Sequence, residues 1–502
     1  MRTIRWAATL LSVVVGLLAG VGQTQAAPRN VVLFVTDDQS PDFGAYGNPV
    51  MKTPNMDALA ADGVRFDNAF CTTASCSASR SVILSGLHNH ANGHYGHQHH
   101  YHKFNAYANI IGLPVYLTHA GYRTARCGKY HVAPESVYQF EQAIPGNSRS
   151  PVAMAENCRE LIAEESDKPF FLYICTSDPH RGGGQATELP HQPDRFGNPG
   201  PNHKGYPGIK EVVYDPQDVV VPGFLPDTPT CRAELAQYYQ SCSRIDQGLG
   251  RLIEILKEAG HWDDTLFLYC SDHGIAMPGA KTTLYEGGMR APLLARNPYE
   301  EKRGLVNNAM ISWIDLTPTI LDFAAALDEN GRVKPSIVQQ IPGPGRDSQN
   351  TNDVKRGELH GRSFLPILDE TEPKGWDSVY ASHTFHEIQM YYPMRVVRGR
   401  QYKLIWNIAW PLPFPFASDL WAAPTWQAQY QQGSDAPYGK KTVGTYIQRP
   451  EFEMYDVRND PHEGHNLATD PAYAKQLEAL KKELKSFQNR TSDPWIMKWD
   501  YE

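Results

Sequence analysis

Leu266-Phe267-Leu268-Tyr269-Cys270-Ser271-Asp272-His273-Gly274 sets an apolar, β-prone run directly before an acid, an imidazole and a glycine. Three other stretches have the same form. Val31-Val32-Leu33-Phe34-Val35 runs into Thr36-Asp37-Asp38, Tyr122 to Cys127 into Gly128-Lys129-Tyr130-His131, and Phe170 to Cys175 into Thr176-Ser177-Asp178-Pro179-His180-Arg181. Continuous apolar runs of this length suit strands buried on both faces, as in a parallel sheet covered by helices. Open parallel sheets bind ligands beyond the carboxyl ends of their strands, so residues distant in sequence converge along one edge. The four runs predict an α/β fold whose site is assembled at that edge.

The intervening segments agree. Pro54 to Ala61 reads as a short amphipathic turn stopped by Gly63, and Glu234 to Ala259 as a long helix stopped by Gly260. Residues 328 to 360, rich in Gly, Pro, Asn and Asp, read as a long loop or a domain connection. After it, Met394 to Ile405 alternates as sheet does, and Ala474 to Phe487 reads as a charged amphipathic helix. At roughly 150 residues per domain, a chain of 502 residues is too long for one ordinary core. The expected organisation is a large α/β domain over 27–365 and a smaller α+β domain over 366–502, with an antiparallel sheet and a terminal helix.

Hydrophobic residues at 41% and charged residues at 20% exclude disorder, collagen-like repeats and a multi-span membrane protein. The formal charge, 47 − 55 = −8, excludes a broad basic surface for nucleic acid, so any affinity for anions is local. Arg2 and Arg5 precede the apolar run Trp6 to Val21, and Thr24-Gln25-Ala26 offers small residues for cleavage. Residues 1–26 therefore read as a secretory signal. The rival, an uncleaved anchor, needs a longer apolar stretch. The mature chain is expected to be exported, periplasmic or secreted (lysosomal in a eukaryote), without a membrane span. Cys231 and Cys242 lie on one helical pattern, about 16 Å apart at ~1.5 Å per residue, too far to bridge. Most of the eight cysteines read as buried thiols.

Cys76 is the exception. Cys76-Ser77-Ala78-Ser79-Arg80 stands before the helical start Val82-Ile83-Leu84, and Gly121 to His131 forms a second motif. Together with Asp37-Asp38, Asp272-His273-Gly274 and Lys281 to Pro292, these resemble the type I sulfatases. The resemblance implies an alkaline-phosphatase-like fold, a mostly parallel sheet sandwiched by helices with a smaller C-terminal α+β domain. It also implies that Cys76 is oxidised to formylglycine (3-oxoalanine) by a formylglycine-generating or anaerobic sulfatase-maturing enzyme. Further segments resemble the heparan N-sulfatase (sulfamidase) branch: Asp178-Pro179-His180-Arg181, Tyr214-Asp215-Pro216, His386-Glu387, Tyr392 to Val397 and Asp460-Pro461-His462-Glu463. That branch removes the N-linked sulfate of terminal N-sulfoglucosamine in heparan sulfate and heparin fragments. This chain departs from it at Ala78, usually proline, and at His273, usually asparagine.

A sulfate ester or sulfamate hides sulfur behind anionic oxygens, so cleavage needs a strong nucleophile, charge neutralisation and a proton for the leaving group. By resemblance, the hydrated aldehyde at position 76 is the nucleophile, and covalent catalysis divides one hard step into two. Asp37, Asp38 and Asp272 offer hard oxygen donors suited to Ca2+ or Mg2+. Cys76 and His273 complete the implied shell; calcium is usual, and the softer His273 makes manganese conceivable. Arg80, Lys129 and Lys281 are implied cationic partners of the hydrate and the sulfate, while His131 and His180 divide proton acceptance and donation. Asp178, Arg181, His386, Glu387 and Arg395 are candidates for saccharide recognition. The seven histidines between His88 and His102 read as an exposed polar loop rather than a zinc site. The aromatics from Trp406 to Trp426 read as either a sugar platform or packing. A sulfated glycosaminoglycan oligosaccharide is the implied partner, and the resemblance is compatible with a homodimer. Three rivals stay open: an O-sulfatase on a sulfated sugar, a phosphate or phosphonate esterase, and a silent glycan-binding protein with unconverted Cys76.

Overall fold

The computed structural model describes residues 29–182, 194–200, 202, 204–344 and 350–501. The expected signal over residues 1–26 lies outside the described residues. Eight strands form the main sheet: β1 (Asn30–Thr36), β2 (Val64–Phe70), β3 (Arg123–Gly128), β4 (Gln142–Ile144), β5 (Phe170–Cys175), β6 (Thr265–Ser271), β7 (Leu293–Arg296) and β8 (Leu305–Ser312). Their order is β8-β2-β7-β6-β1-β5-β3-β4. Only β7 runs against its neighbours. The four runs read from the sequence are the adjacent central strands β6, β1, β5 and β3.

Side-chain alternation sends each strand into two cores. Val32, Phe34, Leu172, Ile174, Phe267 and Tyr269 face one cluster, which also holds Leu235, Tyr238, Cys242, Ile245, Leu249 and Leu252 of the long helix. Val31, Leu33, Val35, Phe171, Tyr173, Leu266 and Leu268 face the other, with Val82, Ile83, Leu316 and Ile320. The helices that cover these faces are α1 (Pro54–Ala61), α2 (Cys76–Ile83), α3 (Pro229–Glu258) and α4 (Leu316–Phe323). Helix α3 starts with Pro229 behind Thr228, whose hydroxyl accepts from Cys231 N at 3.2 Å, and Gly260 follows its end with φ 77°. All eight cysteines are buried and free.

A second, antiparallel sheet follows: β9 (Ser378–His383), β10 (Met394–Gly399), β11 (Tyr402–Asn407) and β12 (Phe452–Asp456). Helix α5 (Ala474–Arg490) packs on it through Leu480, Leu484 and Phe487. The two sheets are not separate bodies, because Val379, Met394, Tyr446 and Tyr455 join the cluster beneath the first. Among the described residues, no helix is long and apolar enough to cross a membrane.

Strand register places the chemistry. Thr36 pairs with Ser271, so Asp37 and Asp272 leave the sheet side by side. Gly128 pairs with Cys175, and Lys129 N donates to Cys175 O at 2.8 Å. Gly128 has φ +83°, and a Cβ there would lie 2.1 Å from Cys175 O, so only glycine permits this approach.

Candidate active site

Three carboxylates and a cysteine meet beyond the strand ends. Asp37, Asp38, Asp272, His273, Cys76 and Arg80 are all fully buried. The ligand oxygens of Asp37, Asp38 and Asp272 lie within 4.8 Å of one another, as do the ligand atoms of Asp38, Cys76 and His273. Asp38 N donates to Asp272 Oδ1 at 3.0 Å, fixing the second carboxylate against the first strand end. Cys76 opens α2 behind Ser75, and its Sγ lies 3.4 Å from His273 Nε2 and 3.7 Å from Asp38 Oδ1.

Cations surround this floor. Arg80 Nη2 lies 3.0 Å from Asp272 Oδ2 and 3.4 Å from Asp37 Oδ1, and Lys129 Nζ bonds Asp37. Lys281 Nζ lies 3.0 Å from Asp38 Oδ2 and 3.1 Å from His180 Nε2. Asp38, His131 and Thr282, which follows Lys281, adopt left-handed backbones with φ 66°, 59° and 66°. Non-glycine residues hold such conformations where surrounding structure imposes them, a pattern concentrated at functional sites.

Electrostatics follow from this crowding. Burial opposes ionisation of Asp37, but Lys129, His180 and Arg80 outweigh it and hold its carboxyl well below the usual range. Burial pushes Asp38 up to about 6, with Asp37 and Asp272 adding repulsion against the pull of Lys281 and His273. Burial drives the Cys76 thiol well above its ordinary value, so the unmodified side chain is a protonated, poor nucleophile. Burial, reinforced by Lys129, holds His131 well below the usual imidazole value; burial and Lys281 do the same for His180, opposed by Asp37 and Asp419. Lys281 stays charged despite burial because Asp38 and Asp419 flank it.

A cleft of about 620 Å³ opens onto this floor, lined by Asp37, Lys129, His131 and His180 with His97, Gln98, His99, Asn147, Ser148, Arg149 and Ser177. The eleven-residue wall brings together four of the residues read from the sequence and adds others that carried no motif. Asp419 is a further addition. It precedes the buried Leu420 in a short helix of the later half of the chain, and its carboxylate lies 3.0 Å from Lys281 Nζ. No sequence signal marked Asp419 or Arg149. His97 and His99 were visible as part of the histidine-rich segment.

The substrate-recognition candidates need correction. Arg395 is fully buried in a two-pronged ion pair with Asp493, closest at 2.5 Å, under Trp495. Arg181 is committed to Glu234 and Ala276 O, and Asp178 to Arg149 at 2.8 Å and Arg244 at 2.7 Å. A charged side chain's partner is invisible in sequence, and these three are paired with residues of other segments, Asp493, Glu234, Arg149 and Arg244, rather than offered to a sugar. Arg149 also donates to the carbonyls of His180 and Gly182, at 3.0 and 2.6 Å, so the Asp178 network holds the His180 loop. His386 sits behind the segment that carries Cys76, with Nδ1 2.9 Å from Ser75 Oγ and Nε2 2.8 Å from His97 Nε2. Glu387 accepts from Ser418 Oγ at 2.8 Å and thereby steadies the segment carrying Asp419.

The histidine-rich segment is also corrected: His88, His90, His94 and His97 are buried, not an exposed loop. His88 and His90 pack against Phe487, which gives them an apolar setting the sequence spacing does not reveal. Trp406 and Trp426 are buried as packing residues, whereas Trp410 and Trp421 remain exposed.

A fold with an alkaline-phosphatase-like sheet and a carboxylate–cysteine floor defines a hydrolase of tetrahedral oxyanions. The chain belongs to the sulfatase family, whose model matches residues 29–326. It is 39% identical over 490 residues to human N-sulphoglucosamine sulphohydrolase, covering 96% of this chain and 94% of that protein. It is 27% identical to an ulvan-active sulfatase of Formosa agariphila, covering 92% and 80%. A structure solved in complex with its substrate D-glucosamine-2-N,6-O-disulfate superposes with a TM-score of 0.63 at 20% identity, covering 93% of this chain and 99% of that one.

Proposed function

We propose that the protein hydrolyses the N-linked sulfate of terminal N-sulfoglucosamine in heparan sulfate or heparin fragments. The observation that carries this reading is the meeting of Asp37, Asp38, Asp272, His273 and Cys76, with Lys281 buried against Asp38, beneath a cleft walled by Lys129, His131 and His180. Identity of 39% to the human N-sulphoglucosamine sulphohydrolase over nearly the whole chain supports the sulfamate as substrate.

The donor set fits a hard divalent cation. Three carboxylates within 4.8 Å of one another, one pushed up to about 6 by burial, form an anionic nest that a cation relieves. Asp37, Asp38, Asp272 and His273 would hold calcium, with magnesium or manganese as substitutes, and the ion would supply Lewis-acid polarisation of sulfate oxygen. Conversion of Cys76 to formylglycine by a maturation enzyme would supply a geminal diol, one hydroxyl to attack sulfur and one to release sulfate.

The chain's own residues do the rest. Lys129 and Lys281 neutralise sulfate oxygens as negative charge builds. Arg80 holds Asp37 and Asp272 in register by its charge-assisted bonds. His180 gives a proton to the leaving nitrogen as the N–S bond breaks, because an amide anion is a far worse leaving group than an alkoxide. The anionic substrate raises the protonated fraction of His180 on binding. His131, kept neutral by burial, accepts the proton of the remaining hydroxyl when sulfate departs. The chain is exported through its N-terminal leader, and its partners are the sulfated oligosaccharide and the maturation enzyme.

The test is sulfate release by matured protein from N-sulfoglucosamine and from glucosamine 6-sulfate, with peptide mass spectrometry at position 76. Release from the sulfamate is the expected result. Release from the O-sulfate alone overturns the assignment, and an unmodified Cys76 in active protein overturns the nucleophile.

A further inference from the structure

On the wall of the cleft, three imidazoles face one another. The ring centroids of His97 and His99 are 4.8 Å apart, those of His97 and His131 4.9 Å, and those of His99 and His131 5.0 Å. One nitrogen from each ring falls within 4.8 Å of the other two. Nδ1 of His99 and Nδ1 of His131 are buried without a hydrogen-bond partner, a costly state for a polar atom in a folded protein. We propose that His97, His99 and His131 form a second metal site, for a borderline ion of the zinc class, distinct from the carboxylate nest on the cleft floor.

The chemistry of the two sites differs. The floor offers hard oxygens; the group His97, His99 and His131 offers three nitrogens, the donor set that zinc, nickel and copper prefer. A tetrahedral ion with Zn–N bonds of about 2.0–2.1 Å needs its nitrogens ~3.4 Å apart, so nitrogens that lie within 4.8 Å of one another need close by ~1.4 Å at most on binding. His99 can supply that movement. It lies at the end of a two-residue strand, Gln98–His99, paired with His102–Lys103, and its ring is only partly buried. His97 is the fixed ligand: whichever of its nitrogens turns to the ion, the other keeps a partner, Ser77 Oγ at 3.3 Å or His386 Nε2 at 2.8 Å. Ligating histidines characteristically hold such a second contact, which sets their tautomer. Burial, with neighbouring imidazoles adding to it for His97 and His99 and Lys129 for His131, keeps all three rings neutral and their lone pairs free.

Occupation has a functional result that rests on the proposed reaction. Capture of His131 by an ion removes the base that releases sulfate, and three protein ligands leave the fourth position facing the cleft, so the ion would act as a reversible inhibitor. Binding itself is independent of that reading and is measured separately.

The experiment titrates the full, calcium-saturated protein with cobalt(II), the spectroscopic stand-in for zinc, in competition with Zn2+. The expected result is one cobalt per chain with the intense visible bands of tetrahedral nitrogen coordination, displaced by zinc. His99→Ala, with the parent's melting temperature, should weaken binding by at least about 100-fold, while His102→Ala on the same hairpin keeps it. Absence of tetrahedral cobalt in the parent overturns the site, and so does equal binding by His99→Ala or loss of binding in His102→Ala. Tight binding without loss of sulfate release retains the site and rejects only the proposed role of His131.

Discussion

Asp419→Asn separates protonation of the leaving nitrogen from capture of the sulfate. Asp419 lies 3.0 Å from Lys281 Nζ, and its carboxylate comes within 4.8 Å of the ligand nitrogen of His180. An imidazolium and a carboxylate at that separation attract by about 3.5 kcal/mol at an effective dielectric of ~20. The Asp419 side chain is 20% exposed, and solvent screening leaves about 2 kcal/mol of this. Without it, less His180 is protonated, and the Lys281 ammonium at 3.1 Å, relieved of one counter-charge, bears harder on the ring. At about 1.4 kcal/mol per tenfold, kcat on N-sulfoglucosamine falls about 30-fold. The sign of the pH effect follows: His180 is already held low by burial and Lys281, and losing the opposing Asp419 moves it lower, so the decline of kcat with rising pH begins at a more acid pH. The assay is the kcat–pH profile of matured parent and variant. An activated aryl sulfate, whose leaving group needs no proton, provides the comparison and should lose only a few-fold. An unchanged profile on the sulfamate, or an equal loss on both substrates, refutes the assignment of His180 as the donor and of Asp419 as its support.

Cys76→Ala should abolish sulfate release while shifting the melting temperature by only a few degrees, since it removes one buried atom, about 1 kcal/mol in a well-packed setting; calorimetry beside the sulfate assay checks both. Calcium should raise the melting temperature of chelator-treated protein, by about 2.7 kcal/mol of stabilisation at a hundred times its Kd. Its affinity, read by isothermal titration, should weaken as pH falls through about 6, where a proton competes for the Asp38 carboxylate. Arg395→Ala leaves Asp493 buried and unpaired and should cost about 3–5 kcal/mol in denaturant unfolding, with KM for the saccharide unchanged in the folded fraction. A raised KM would restore Arg395 to substrate recognition.

The central strands were legible because a strand buried on both faces is apolar throughout, and Val31–Val35 and Phe170–Cys175 are short, β-branched or aromatic-rich runs of that kind. The outer strand β8 and its neighbour β2 were not, since Val64–Phe70 mixes Arg65, Asp67 and Asn68 with apolar residues and Leu305–Ser312 contains Asn307 and Asn308. The acids that gather at the floor could be named because each follows a strand, and strand register does the gathering. Asp178, Arg181 and Arg395 misled because burial turns a charged residue inward only when a partner arrives from elsewhere. Glu234 lies 53 positions from Arg181 and Asp493 98 from Arg395, distances over which sequence carries no pairing signal. Asp419 escaped notice for the same reason.

The reach of Asp419 to Lys281 splits the reaction between two stretches of polypeptide. On the proposed mechanism the groups that would grip sulfur are encoded between Asp37 and Lys281, whereas the carboxylate that supports His180 comes from position 419. On that mechanism, a change confined to the short helix Ser418–Trp421 would alter support for the leaving atom while sparing the groups that hold sulfur.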